Sequence, residues 1–231
     1  MDKCYFSCLN YKNEDRKKNM IEKFKKLNIP CEMYENIDSS VDERIIKRDL
    51  CDGTKKAWSF TYGHLDMINK FYHTDKLYGI FCENDIFIHN SLPLQLNTII
   101  NEIEELNLDI LLLGYLINYD ISNNLNISNK SNLNFKYYSY PNDLWGAQMY
   151  LITRKYAKFL LDMYYYNYAD KTINDKSLVP FSADWIITKN GNRALIYPML
   201  ACEDGLNRSG HYSQDLFHSS CHSFSYTSEF I

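Results

Sequence analysis

Proline and glycine are scarce, with five and eight residues in a chain of 231, so a collagen-like repeat or a linker-dominated chain is excluded. No run of about 18 consecutive apolar residues occurs, the length a membrane-spanning helix needs. Basic charge is not in excess either: 25 Lys and Arg face 29 Asp and Glu, a formal charge of −4. That argues against a nucleic-acid binder held by a broad basic face and leaves room only for a local basic cleft. Met1-Asp2-Lys3 runs straight into an apolar segment without a basic leader or a small-residue cleavage site. No signal peptide is expected, and the expected location is cytoplasmic, in a bacterium or a virus-infected host. A disulfide framework is missing as well. The seven cysteines (Cys4, Cys8, Cys31, Cys51, Cys82, Cys202, Cys221) are odd in number and scattered, several inside apolar runs, as in a reducing compartment. Asn126, Asn129 and Asn207 open Asn-x-Ser sequons, which without a secretory signal are chance matches in an Asn-rich chain.

Apolar residues make up 45% of the chain and aromatic residues 15%, enough for a packed core and too much for wholesale disorder. Cys4 to Leu9 reads as a buried strand. Asn13 then caps a helix over Glu14 to Leu27 with Met20, Ile21, Phe24 and Leu27 on one face, and Cys31 to Ile37 is a second strand. Strand, helix, strand at this spacing is a βαβ unit with loops gathered at one sheet edge. A short helix around Val41, Ile45 and Ile46, a turn at Asp52-Gly53-Thr54 and a helix from Ser59 to Tyr72 follow. Strands are then expected at Tyr78 to Cys82, Ile86 to Ile88, Asp109 to Gly114, Phe135 to Tyr140, Gln148 to Ile152 and Arg193 to Leu200. Helices are expected from Pro93 to Leu106, from Arg154 to Tyr166 and from Ser182 onward. Asn118 to Asn134 is a loop, and the tail after Cys202 lacks periodicity. The alternation predicts one α/β domain over 1–231, a mostly parallel sheet flanked by helices, with its core at about 3–205 and an irregular tail at 206–231.

The sharpest chemical feature is Glu83-Asn84-Asp85 at the end of a buried strand. Ligands of open α/β sheets collect at the carboxyl ends of strands, and carboxylates two residues apart can hold a hard divalent cation while leaving coordination positions for phosphate. An acidic turn between two strands has the same composition. Around this tripeptide stand Leu9-Asn10-Tyr11-Lys12-Asn13-Glu14-Asp15-Arg16, Tyr34-Glu35-Asn36-Ile37-Asp38, Tyr62-Gly63-His64-Leu65 and Trp145-Gly146-Ala147-Gln148-Met149-Tyr150-Leu151-Ile152. In this order the segments resemble glycosyltransferase family 25, which includes lipopolysaccharide glycosyltransferases and procollagen galactosyltransferases. The resemblance runs from about Cys4 to Gly205 and is most specific over Trp145 to Leu161.

That resemblance implies a GT-A-like fold, a nucleotide-sugar donor such as UDP-galactose or UDP-glucose, and a divalent metal, Mn2+ or Mg2+. Asp85 would coordinate the metal, with Glu83 as a direct or water-mediated partner and Glu203, Asp204 or His211 completing the site. The donor would lie against Leu9, Asn10, Arg16, Asn36, His64, Glu83, Asn84 and Asp85, and the acceptor or sugar against Trp145 and Gly146. Asn84 departs from the family's Asp, keeping an oxygen and losing a charge. Asp184 is the candidate general base for an acceptor hydroxyl, on a glycan, a lipid-linked sugar or hydroxylysine, with inversion at the anomeric carbon.

Each assignment has a plainer counterpart: Asp184 as a helix cap, Arg16 as a solvated first-turn arginine, His64 as a hydrogen-bonded structural histidine, Trp145 as a core aromatic. Cys202, His218, Cys221 and His222 could be recruited by zinc, although their spacing matches no standard pattern. Two other functions compete with a transferase. Asn84 in place of Asp suits a non-catalytic nucleotide- or glycan-binding relative. A metal-dependent nuclease could use the same acidic strand end, but no Lys follows Asp85 on Ile86-Phe87-Ile88 and the net charge is negative.

Overall fold

The computed structural model describes residues 2–121, 124–127, 133–205 and 211–231; the sequons at Asn129 and Asn207 lie outside them. The chain opens with the expected unit of strand β1 (Cys4–Asn10), helix α1 (Glu14–Lys26) and strand β2 (Cys31–Glu35), the strands pairing in parallel. Asn13 caps α1: its backbone is extended and its Oδ1 accepts the Arg16 amide at 3.0 Å. Met20 and Phe24, one turn apart, are buried. The helix ends as Asn28 takes a φ of 54° and the Ile29 amide returns to the Phe24 carbonyl at 2.9 Å.

Next come α2 (Glu43–Ile46), α3 (Asp52–Tyr72), β3 (Tyr78–Glu83), β4 (Ile86–Ile88), α4 (Leu92–Glu105) and β5 (Ile110–Gly114). The Asp52-Gly53-Thr54 stretch is not a turn but the start of α3. Cys51 is extended, and Asp52 stands at the positive end of the helix dipole. The second half holds β6 (Lys136–Tyr138), β7 (Met149–Thr153), α5 (Arg154–Tyr164), α6 (Tyr168–Asn174), α7 (Ala183–Ile186), β8 (Arg193–Tyr197), β9 (Ala201–Glu203) and α8 (Tyr212–Ser225). The expected strand over Arg193 to Leu200 therefore stops at Tyr197, before Pro198.

The expected irregular tail is also corrected, since it carries α8. That helix buries only Cys221 among its described residues and is fastened by polar groups instead, with Ser219 Oγ donating to the Gly205 carbonyl at 3.0 Å and His222 Nδ1 bonded to the Glu203 carbonyl at 2.8 Å. Held this way, it leaves no apolar periodicity to read.

The sheet order is β2-β1-β3-β7-β5-β8-β6. β1, β2, β3, β5 and β8 point one way and β6 and β7 the other, which gives the expected mixed α/β class with a mostly parallel sheet. Helices α3, α5 and α7 cover one face over Leu65, Phe81, Tyr150 and Leu160. Helices α1 and α4 cover the other over Phe24, Ile80, Ile99 and Leu151. Parallel pairing brings the carboxyl ends of β1, β2 and β3 to one edge, at Asn10, Glu35 and Glu83. The β4–β9 ribbon sets Glu203 opposite Ile86, which carries a residue from late in the chain to the same edge.

Gly63 shows how tightly α3 is seated. A Cβ there would lie 2.2 Å from Asn36 Oδ1 and 2.9 Å from Leu9 Cδ1. Asn36 cannot yield easily, because its Oδ1 accepts the Ile37 amide at 2.9 Å and its Nδ2 donates to Ser59 Oγ at 3.3 Å. Replacing an interior helical glycine by alanine ordinarily gains about 0.5–1 kcal/mol. Here Gly63→Ala is expected to lower stability by about 1–3 kcal/mol, measured by chemical denaturation; a gain in stability would show that α3 can move away from β2.

Candidate active site

At the carboxyl edge of the sheet lies a cleft of about 520 Å³. Leu9, Arg16, Glu83, Asn84, Asp85, Trp145, Asp184 and Glu203, all singled out from sequence, line it together. Glu83 and Asp85 are half-buried side by side at the end of β3. Burial, with the charges of Asp184 and Glu203 behind it, pushes the Glu83 carboxyl up to about 8. Burial and the charges of Glu83 and Glu203 push Asp85 to about 8 as well. Opposing this, Arg16 Nη1 stands 3.6 Å from Asp85 Oδ2.

His64 does not face the cleft as a donor contact. It is fully buried behind Glu83, with Nδ1 2.9 Å from the Tyr150 hydroxyl and Nε2 3.5 Å from Glu83 Oε1. Burial holds its pKa down to about 4, partly offset by Asp184. Once Glu83 is ionised, above about pH 8, it can only accept, which puts the proton on Nε2 and lets the Tyr150 hydroxyl donate to Nδ1.

Asn10 and Asn36 are struts as well. Asn10 is buried; its Oδ1 accepts from Asn84 Nδ2 at 2.6 Å and its Nδ2 donates to Glu35 Oε2 at 2.9 Å. Asn36 clips β2 to α3 and does not line the cleft. The Asn84 amide is thus engaged as a donor. An aspartate in its place would set a carboxylate oxygen against the Asn10 carbonyl oxygen.

Asp184 is not the cap of α7, a position taken by Ser182. Its Oδ1 accepts the backbone amides of Gly146 and Ala147 at 2.9 and 3.0 Å, fastening the Trp145–Ala147 segment to the cleft wall. Gly146 acts through that amide and is packed too closely on Leu112 to carry a side chain: an added Cβ would meet Leu112 Cδ1 at 2.5 Å. Trp145 is no core aromatic. It is 37% exposed and stands edge-on to Trp185 and His218 at 5.9 and 6.4 Å between ring centres.

Glu203 is buried and occupied, with His218 Nδ1 2.7 and 2.8 Å from its two oxygens; that contact raises the histidine's pKa. His211 is exposed at the start of α8 and is not part of the cleft lining. The side chains of the zinc reading have other partners, His222 on the Glu203 carbonyl and His218 on the Glu203 carboxylate. Sequence reasoning passed over His218 as a cleft residue, and also Gln148, Tyr11, Phe60 and Lys56. Gln148 alone left a signal, as a polar residue opening an apolar strand.

Among the described residues no three His, Cys, Asp or Glu side chains converge as a self-sufficient metal cage. Glu83 and Asp85 nonetheless form an oxygen donor pair whose mutual repulsion a cation would relieve. Two carboxylates suit a hard divalent ion that takes its remaining ligands from substrate phosphates and water.

No protein-family model matches this chain, and no curated protein matches it in sequence. Solved structures resemble it distantly. The A197 protein of STIV matches with a TM-score of 0.45 and 10% identity, over 84% of this chain and 81% of its own. A glycosyltransferase involved in glycosylation of the major capsid of PBCV-1 gives 0.38 and 8%, over 75% and 77%. A protein assigned as a glucose-1-phosphate thymidylyltransferase of Bacillus anthracis gives 0.42 and 10%, over 98% of both chains. Likeness this distant says nothing about substrate or reaction, and the chemistry of the site has to be read from its own residues. Among the described residues, no helix is long and apolar enough to cross a membrane.

Beside the cleft, Lys189 Nζ donates to the Leu144 carbonyl and lies over the Tyr140 and Trp185 rings at 5.2 and 5.9 Å. Burial lowers its pKa to about 8 against the pull of Asp184. The unfolded chain therefore binds more protons at this position between about pH 8 and the ordinary lysine range near 10.4, and wild type gains stability across that window as pH rises. Lys189→Met lacks this dependence. Its melting temperature relative to wild type is expected to be most favourable near pH 7 and to fall steadily toward pH 10, as paired thermal scans would show; a pH-independent difference would refute a lysine charged against its surroundings.

Proposed function

We propose that the cleft binds a nucleotide sugar and transfers its hexose to an acceptor hydroxyl, in the manner of the family 25 glycosyltransferases the sequence resembles. The observation that carries this reading is the Glu83–Asp85 pair, held half-buried at the end of β3 in one cleft with Arg16, Asp184 and the Glu203–His218 pair. Glu83 and Asp85 are the residues that would hold Mn2+ or Mg2+. Such an ion neutralises the charge that develops on a departing nucleoside diphosphate. Arg16 brings a second positive charge to the same place. Tyr11 and Phe60, ring centres 5.7 Å apart on the cleft wall, offer an apolar face for the base.

Asp184 is the candidate base. Its Oδ1 is held by two amides, so the carboxylate is oriented toward an acceptor hydroxyl without adjustment. A second cavity of about 540 Å³, walled by Trp58, Pro180 and Phe181, shares Ala57 and Ser182 with the cleft and gives the acceptor a way in. The donor is a UDP-hexose, glucose or galactose, and the acceptor a glycan, a lipid-linked sugar or a protein hydroxyl.

Two substitutions test this. Asp85→Ala is expected to keep the fold, abolish transfer and remove the part of UDP-induced thermal stabilisation that depends on Mn2+; full activity in that variant would remove the metal assignment. Asp184→Asn keeps an oxygen for the Gly146 and Ala147 amides, so the fold and UDP binding should stand while turnover falls by about 100-fold or more. Unchanged turnover would leave Asp184 as a fastening residue only.

A further inference from the structure

Gln148 has no evident structural reason to be an amide. It is 6% exposed, directly precedes the apolar strand β7, and its Oε1 is buried without a hydrogen-bond partner. Such a group destabilises the fold unless something outside the chain satisfies it. The Glu83 amide donates to the Gln148 carbonyl at 3.1 Å, continuing the antiparallel ladder of β3 and β7, so the two residues stand opposite each other on one face of the sheet. Both line the cleft.

Its neighbours define what Gln148 can read. On one side, Glu83, Asp85 and Arg16 form the end of the cleft suited to a cation and a diphosphate. On the other, Asp184 is fixed by the amides of Gly146 and Ala147, the two residues just before Gln148. Whatever passes from the diphosphate to a nucleophile activated by Asp184 must cross the space between them. A neutral carboxamide both accepts and donates, which suits a hydroxyl group; its carbonyl oxygen repels phosphate.

Resting on the nucleotide-sugar reading above, we propose that the Gln148 amide hydrogen-bonds a hydroxyl of the transferred sugar ring and so selects between donor epimers. The unmet oxygen is then a site prepared for a ligand, and the free protein carries its cost until the sugar arrives.

Titration calorimetry with Mn2+ tests this on wild type, Gln148→Met and Gln148→Asn, using UDP, GDP and dTDP and pairs of their epimeric hexose derivatives. Wild type should bind one epimer about tenfold more tightly than the other. Both variants should bind the nucleoside diphosphate as wild type does and lose most of the epimer preference, and Gln148→Met without ligand should melt above wild type. An epimer preference unchanged in both variants overturns the proposal. So does a wild type that binds the diphosphate but gains nothing from the sugar. Failure of wild type to bind any diphosphate or sugar nucleotide overturns the nucleotide-sugar reading itself, and the proposal with it. Should Gln148→Met fail to fold, Gln148→Asn, which keeps the amide but shortens its reach, decides the matter alone.

Discussion

Crowding of like charge governs this molecule. Glu83, Asp85, Asp184 and Glu203 line one half-buried cleft, and each of the first two is pushed well above its ordinary pKa by burial and by its acidic neighbours. Two unit charges 4 Å apart would repel by about 4 kcal/mol at an effective dielectric near 20; the raised pKa values relieve this by keeping protons on the pair near neutral pH, and a firm surrounding structure holds the carboxyls together. Arg16 and His218 meet the cluster from opposite ends of the chain, and His64 is kept neutral directly beneath it. A cleft of this kind is disposed to capture positive charge, whether from a cation or from a positively charged group on a ligand.

The firmness comes from backbone and amide fastenings more than from apolar packing. Asn84 donates to Asn10, Asn10 to Glu35, and Glu35 pairs with Lys17 at 2.5 Å. The ends of three parallel strands and the first helix are thereby tied in one line. Across the cleft, Asp184 reaches back to the amides of Gly146 and Ala147 and joins the mouth of β7 to the start of α7. Of the residues that read from sequence as ligands of a donor, Asn10 and His64 brace Asn84 and Glu83 in the cleft, and Asn36 ties the end of β2 to α3.

How much could be read in advance depended on the kind of force at each position. The βαβ opening and the acidic end of β3 were legible because they rest on local signals (an Asn cap, apolar runs of strand length, a carboxylate at a strand terminus), whereas the segment around Trp145 was picked out by the family resemblance. Leu9, Arg16, Glu83, Asp85, Trp145, Asp184 and Glu203 accordingly meet in one cleft. Asn36 was misplaced because a position at a strand end does not reveal which way a polar side chain turns, and His64 takes the hydrogen-bonded structural role that stood beside its donor reading. Helix α8 and His218 were missed for the opposite reason: their contacts are polar and with residues distant in sequence, and such contacts leave no periodicity. The early start of α3 was hidden by Gly53, which reads as a turn residue but here occupies a helical position.

The place of β7 in the sheet bears on how the protein is made. It lies between β3 and β5 and is hydrogen-bonded to both, yet it follows them in the chain. During synthesis, β3 and β5 therefore leave the ribosome with facing edges open, each missing the same neighbour. Roughly 40 more residues must be added before that neighbour appears, a delay of about 2–8 s at ordinary elongation rates. For that interval the nascent chain displays two apolar strand edges of the kind that pair with other chains, so production of this protein is expected to depend on chaperone capacity and elongation speed more than its finished fold would suggest.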